Sequence, residues 1–300
     1  MGPGKIDRVV EFFCGLGGWR RALGQDVVIA AAYDISPHAV ATYALNHGLR
    51  PVPRELATLP ALELSRHGAN TWVMSPPCQP FCRMGRRLDL DDRRSRAFLH
   101  LMDLFRENPP EHFLLESVDG FLGSAAHALL TRRFEEAGCH WLDYTLCPTT
   151  FGIPNQRPRA FVVASRAPLA LRPPPRLPPT PLAGYLDAQE DPALYLSQEV
   201  LAKHYQGLDL VDATATRSAC FIGGYGQRYV GNGSFLATSR GVRRFSCGEV
   251  ARLLGWAQGP SFPEEINLEA RYKLLGNGLS LPVARWVAGQ LLTGLQNPTP

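Results

Sequence analysis

The sequence predicts an α/β fold: a mostly parallel sheet with helices on both faces, joined to a smaller second region. Two observations carry this reading. Across the first 165 residues, short apolar runs rich in β-branched and aromatic residues alternate with helical stretches, the order that parallel strands and crossover helices require. Then "PLALRPPPRLPPTP" (168–181), with seven prolines, breaks the alternation, and shorter, looser periods follow. The expected organisation is a main unit over 1–165, a linker and small unit over 166–242, and C-terminal helices over 243–300. The last helix is expected to return and pack on the main unit.

Each element has a local reason. "RVVEFF" (8–13) reads as a first strand running into a glycine turn, "CGLGG", and then a helix. "VVIAAAY" (27–33) reads as a second strand that ends at Asp34. Ser36 as N-cap and Pro37 at the first helical position start a helix that stops near Gly48. "TWVMS" (71–75), "HFLLES" (112–117) and "RAFVVAS" (159–165) read as further strands, and "SAAHALLTRRFEEAG" (124–138) as an amphipathic helix closed by glycine. Beyond the linker, a glycine-rich centre, "GGYGQRYVGNGS" (223–234), precedes a helix whose capping box pairs Ser246 with Glu249. "SLPVARWVAGQLL" (280–292) supplies a final helix with an apolar stripe.

Composition excludes several classes. No run is long and apolar enough for a bilayer, and the N-terminus lacks the architecture of a signal peptide, so a soluble, cytoplasmic chain is expected, or a nuclear one in a eukaryote. Seven scattered cysteines without a C-x-x-C pair argue against a disulfide framework and against structural zinc, and no metal site is expected. The net charge of +4 is small, but "RMGRRLDLDDRRSR" (83–96) holds six Arg and three Asp. Two readings fit that stretch: a solvated loop with internal ion pairs, or a phosphate-facing surface that includes Arg83, Arg86, Arg87 and Arg93. The chain carries 28 Arg against 3 Lys, a skew that codon bias produces as readily as selection for guanidinium.

Three features carry chemistry. Gly15, Gly17 and Gly18 after the first strand suit close approach of an adenosine-bearing ligand, and Asp34, nineteen positions after Gly15, sits where a carboxylate meets ribose hydroxyls. A plain structural turn explains the glycines equally well. "VMSPPCQPFCR" (73–83) sets Cys78 among Pro76, Pro77 and Pro80, on a stiff segment just after a strand. A lone cysteine is more often an inert core residue. Here the strand's carboxyl end, the prolines and the nearby arginines favour a thiolate held for reaction. Glu116, at the tip of the next apolar strand, adds a carboxylate where burial is costly without a role.

"FCGLGG", "SPPCQPF", "LLESV", "QRPRAFVVA" and "LLGNGLSLPV" stand in the order of the cytosine-5 methyltransferase family, which the chain resembles over 8–164 and 243–295. Finer details, "PFCRMGR", "SRAFLH", "FGIPNQRPR" and "CFIGGYGQRYVGNGS", resemble its tRNA-methylating branch, the tRNA-aspartate type. The resemblance implies the Rossmann-like sheet of the S-adenosylmethionine-dependent methyltransferases with a small target-recognition domain. It implies Cys78 as nucleophile at cytosine C6, Glu116 on the N3/N4 edge, and Arg157 and Arg159 as clamps on the base and its neighbouring phosphate. It implies a cofactor set of Phe13, Gly15, Leu16, Gly17, Gly18, Asp34, Ile35, Pro76 and Asn277, although Asn277 also fits a plain turn. Cys220, Phe221 and Tyr225 would join the arginines in binding nucleic acid. The expected partner is tRNA, with DNA as the alternative, and the expected state a monomer; S-adenosylhomocysteine would be the product. A loop cytosine leaves its stack at less cost than a duplex one, which agrees with tRNA.

Departures from the family pattern set the rivals. Glu-Asn-Val is Glu116-Ser117-Val118, Gly-Asn-Ser is Gly276-Asn277-Gly278, and Cys-Phe-Thr is Cys220-Phe221-Ile222. An insertion that many relatives carry before "RRFSCGEV" is missing, and Cys82 replaces a Thr, as a small filler or a second oxidisable thiol. The rival readings are a DNA cytosine-5 methyltransferase and a catalytically silent nucleic-acid-binding homologue. A nicotinamide oxidoreductase rests on the glycine turn alone.

Overall fold

The computed structural model describes residues 6–77, 89–169 and 172–291. Cys78, Cys82, Arg83, Arg86 and Arg87 lie outside them. In chain order the elements are β1 (Arg8–Phe12), α1 (Gly18–Leu23), β2 (Val28–Tyr33), α2 (Pro37–His47), α3 (Ala61–Arg66), β3 (Thr71–Met74), α4 (Arg96–Glu107), β4 (His112–Val118), α5 (Ala125–Glu136), β5 (His140–Leu146) and β6 (Arg159–Ser165). After the proline-rich segment come α6 (Gln198–His204), β7 (Asp209–Val211), β8 (Ser234–Thr238), β9 (Gly241–Arg244), α7 (Cys247–Leu253), α8 (Leu268–Gly276) and α9 (Leu281–Ala288).

The main sheet has the order β2-β1-β3-β4-β6-β5. β2, β1, β3 and β4 are mutually parallel, and β6 runs antiparallel between β4 and β5. Side chains of a strand alternate between faces, and the core divides accordingly. Val10, Phe12, Trp72, Met74, Phe113, Leu115 and Val162 pack with Phe98, Met102 and Phe105 of α4 and with Leu130 and Phe134 of α5. Val9, Val73, Leu114, Phe161 and Val163 pack with Trp19 and Leu23 of α1 and with Val283, Val287 and Ala288 of α9. Both faces are therefore covered, as a parallel sheet requires. A third cluster gathers apolar residues from 182–281 around Phe221, Tyr225, Phe235 and Phe245, and it includes Leu16, Ala39 and Ile153 of the preceding chain. There β7, β8 and β9 form a small three-stranded sheet.

Local signals act as their chemistry dictates. Ser36 Oγ accepts the Ala39 N–H, Pro37 opens α2, and Gly48 closes it with a left-handed φ of 68°. Ser124 caps α5, and the Ser246–Glu249 capping box opens α7.

Three features were not read from the sequence. "RAFVVAS" is a strand, but it runs against its neighbours, because the chain returns from β5 through residues 147–158 without a crossover helix. β5 was not foreseen: His140, Asp143 and Thr145 are exposed, so this edge strand lacks an apolar run. Helix α4 also escaped notice beside the charged stretch, although Ala97, Phe98, Leu101, Met102 and Phe105 recur at helical spacing and are all buried.

Candidate active site

A cleft of about 380 Å³ opens over the carboxyl ends of β1, β2, β3 and β4. Crevices of open α/β sheets lie at this end of the strands. One part of it is bordered by Phe13, Gly15, Leu16, Asp34 and Ile35, another by Ser75, Pro76, Pro77, Glu116, Arg157 and Arg159. Gly18 and Asn277 border it as well.

The turn after β1 is bent by unusual backbone. Phe13 and Gly15 both have φ of 52°, and Gly17 has φ of 79°. For Phe13 that conformation carries strain, which persists only where surroundings enforce it. The Cys14 N–H donates to the Tyr33 carbonyl, and the Gly15 N–H donates to Asp34 Oδ2 at 2.9 Å, fixing the turn on β2. The glycines differ in purpose. A Cβ at Gly15 meets nothing within 4 Å, so that turn leaves room in the cleft. A Cβ at Gly17 would fall 2.2 Å from His47 Nε2, and one at Gly18 2.6 Å from Leu279 Cβ. Gly17 does not border the cleft, so its expected ligand contact is replaced by a packing requirement.

Asp34 accepts the N–H of Gly15 through Oδ2 and that of Ser36, at 2.8 Å, through Oδ1. Burial raises its pKa despite these bonds. A carboxylate offers about four acceptor positions, so capacity remains for two hydroxyls. Ile35 beside it is 65% exposed, an apolar surface at the cleft rim. An adenosyl cofactor fits these residues: an open glycine turn, a carboxylate with acceptor capacity left, and an apolar platform.

Glu116 and Ser117, on β4, enter at the opposite part. Burial pushes the Glu116 carboxyl up; Arg159 and Arg157, and a hydrogen bond from Ser75, oppose the shift. Arg159 Nε lies 3.4 Å from Glu116 Oε1. Ser75 Oγ accepts the Trp19 indole N–H at 3.2 Å, so its own proton is free to face Glu116. Ser117 Oγ is buried without a hydrogen-bond partner among the described residues.

Arg157 is only 3% exposed. Its Nη1 donates to the Phe221 carbonyl at 2.9 Å, and its Nη2 to the carbonyls of Gly276 and Gly278 at 3.0 and 2.7 Å. The expected clamp on base or phosphate is revised for this residue, because its Nη donors tie the start of β6 to the Phe221 segment and to the end of α8. Phe221 and Tyr225 are likewise revised. Both are buried; Tyr225 Oη donates to the Ser234 carbonyl and accepts the Phe245 N–H, so neither is presented to a nucleic acid. Cys220 is half-buried, its sulfur turned to Arg157 and Arg159. Arg93 is exposed. Asn277 is the C-cap of α8 at the cleft edge.

Sequence reasoning missed Ser75, Trp19, Lys273 and Glu11, all of which border the cleft. A signal existed for Glu11, a carboxylate inside an apolar strand. Its Oε2 accepts the Tyr43 hydroxyl at 2.9 Å, and burial raises its pKa to about 8. Among the described residues no group of three His, Cys, Asp or Glu side chains is placed to hold a metal ion, and no helix is long and apolar enough to cross a membrane.

Sheet order and cleft together define an α/β fold whose cleft has a glycine–Asp34 end and an acid–arginine end. Comparison with known proteins gives the family. Residues 8–183 match the C-5 cytosine-specific DNA methylase family. The tRNA (cytosine(38)-C(5))-methyltransferase of Schizosaccharomyces pombe is 30% identical over 96% of this chain and 97% of its own length. The crystal structure of the S. pombe Dnmt2 methyltransferase superposes with a TM-score of 0.84 at 29% identity, covering 95% of this chain and 98% of that one. The Entamoeba histolytica methyltransferase EhMeth, at 23% identity, shares the fold with a TM-score of 0.91 over 98% of this chain and all of its own (100%). The chain belongs to the C-5 cytosine-specific DNA methylase family, and it is by class an S-adenosylmethionine-dependent cytosine-5 methyltransferase.

Proposed function

We propose that this protein methylates C5 of a cytosine in RNA, at position 38 in the anticodon loop of a tRNA of the aspartate type. The observation that carries the reading is the cleft itself, which joins Gly15 and Asp34 to Glu116, Arg159 and the Pro76–Pro77 approach to Cys78. The S. pombe relative, named for cytosine 38 of tRNA, supports the choice of RNA.

Cytosine C5 is too weak a nucleophile to accept a methyl group unaided. The Cys78 thiolate adds to C6 and makes a C–S bond, while N3 takes a proton from Glu116, leaving C5 enamine-like. A positioned acid of this kind contributes about 10²–10⁴-fold. Burial of Glu116 favours its protonated form, which the donation needs, and Arg159 holds the carboxyl in place. When bound, S-adenosylmethionine supplies the electrophilic methyl. Phe13, Gly15, Leu16, Ile35, Pro76 and Asn277 would surround it, with Asp34 on the ribose. N3 then gives its proton back to the Glu116 carboxylate, and loss of the C5 proton to solvent restores the C5–C6 double bond, breaks the C–S bond and releases the thiolate.

Residues 166–242 would recognise the target, and Arg83, Arg86, Arg87 and Arg93 would meet phosphates beside the nucleophile. The protein would act as a monomer, in the cytoplasm or, in a eukaryote, also in the nucleus, and without a metal.

Labelled methyl transfer to tRNA and to duplex DNA, side by side, tests the substrate. Preference for DNA by a wide margin ends the tRNA reading. Trapping on RNA containing 5-azacytidine tests the covalent step: wild type should form a cofactor-dependent adduct and Cys78→Ala none. If wild type forms no adduct with any RNA or DNA, the protein is a silent binding homologue.

A further inference from the structure

Arg157 is buried, yet among the described residues no carboxylate forms an ion pair with it; its oxygen acceptors are the neutral carbonyls of Phe221, Gly276 and Gly278. A buried guanidinium without an anion is costly. The remaining group on it is the sulfur of Cys220, which receives Arg157 Nη1 at 3.2 Å and Arg159 Nη2 at 3.5 Å. Two charged donors thus converge on one sulfur, while the Phe221 carbonyl, at 3.7 Å within hydrogen-bond reach of a thiol, already accepts Arg157 Nη1 at 2.9 Å. A neutral thiol is a weak acceptor, and this geometry suits an anion.

We propose that Cys220 is a thiolate bridging Arg157 and Arg159, a positioning residue that shares Arg159 with Glu116. The inference rests on the proposed acid role of Glu116. When Glu116 is ionised, charges then alternate along Glu116, Arg159, Cys220 and Arg157. The groups facing the sulfur are Arg157 and Arg159 at the start of β6, with Glu116 of β4 beyond Arg159, and Lys273 of α8 borders the same cleft. The two guanidinium groups overcome burial and lower the thiol's pKa. Its negative charge has a consequence for the acid. At Glu116 the thiolate's charge offsets part of the Arg159 field, so the carboxyl is depressed less than by Arg159 alone. Removing the thiolate removes a negative charge from the neighbourhood of Glu116, which then loses its proton at lower pH.

Iodoacetamide alkylation of the intact protein, followed peptide by peptide over a pH series, reads the thiolate without any nucleic acid. Half-maximal reaction at Cys220 well below the ordinary thiol value of about 8.5 is expected; a midpoint at or above it overturns the bridge. In methyl transfer, Cys220→Ser should move the falling alkaline limb of the kcat profile to lower pH, and Cys220→Asp should move it back. A shift of one unit lowers the rate on that limb about tenfold. A limb that stays in place in Cys220→Ser overturns the positioning role. The alkylation result also separates failures: a low midpoint in a protein that methylates nothing removes the proposed reaction and leaves the bridge standing.

Discussion

Arg159 Nε stands 3.4 Å from Glu116 Oε1, across neighbouring strands that run in opposite directions. The pair exists because β6 is inserted antiparallel beside β4, which sets the first residue of one strand against the last turn of the other: Val118 registers with Arg159 and Glu116 with Phe161. Burial holds this acid toward its neutral form, and the guanidinium opposes that shift while holding the carboxyl in place.

Glu116→Gln keeps the shape and removes the transferable proton. Turnover should fall about 10²–10⁴-fold with cofactor affinity unchanged. Single-turnover methyl transfer and calorimetric titration of the cofactor check this. A variant within a few-fold of wild type would take the acid role away from Glu116.

Asp34→Ala should weaken cofactor binding about 10–100-fold, the loss expected for charge-assisted hydrogen bonds to hydroxyls. It also frees the N–H groups of Gly15 and Ser36, which now depend on this carboxylate. Titration calorimetry gives the answer; an unchanged dissociation constant removes the ribose assignment.

Arg157→Ala should destabilise the fold by about 3 kcal/mol or more, because three buried carbonyls lose their donor. Urea unfolding measures it. Stability within experimental error of wild type would mean that the tie between β6, the Phe221 segment and α8 carries no weight.

Glu11 makes stability depend on pH. Its carboxyl, near 4.3 in an unfolded chain, is raised by burial to about 8 in the folded protein. Between those values the folded state holds a proton that the unfolded state has released, so stability falls as pH rises through that window. Glu11→Gln removes the titrating group. Its melting temperature relative to wild type should therefore be higher at pH 8 than at pH 5. An equal difference at the two pH values contradicts the shift.

Much of the molecule was legible from local patterns. Strands such as "TWVMS" and "HFLLES" declare themselves because burial on both faces leaves a continuous apolar run at their centres, and α2 and α7 declare themselves through Ser36 and Ser246, whose hydroxyls satisfy amides one turn on. Gly15, Asp34 and Glu116 were named from residue type and position, and Pro76, Arg159 and Asn277 from the family resemblance; all border one cleft. β5 was not legible, since an edge strand with exposed polar positions has no apolar signature. Phe221 and Tyr225 were misjudged because an aromatic residue in a glycine-rich segment looks the same in sequence whether it stacks on a base or fills a core.

The sequence by itself determined most of the strands and helices, the family, and which acids, thiols and arginines are available. Periodicity, capping and turn preferences act over a few residues and are written there directly. Tertiary structure alone decided the direction of β6, the burial of Tyr225, and the partners of Arg157, one of which is 121 positions away in the chain. Such pairings depend on how covered sheet faces and unsatisfied donors are arranged in space, and no local pattern encodes them.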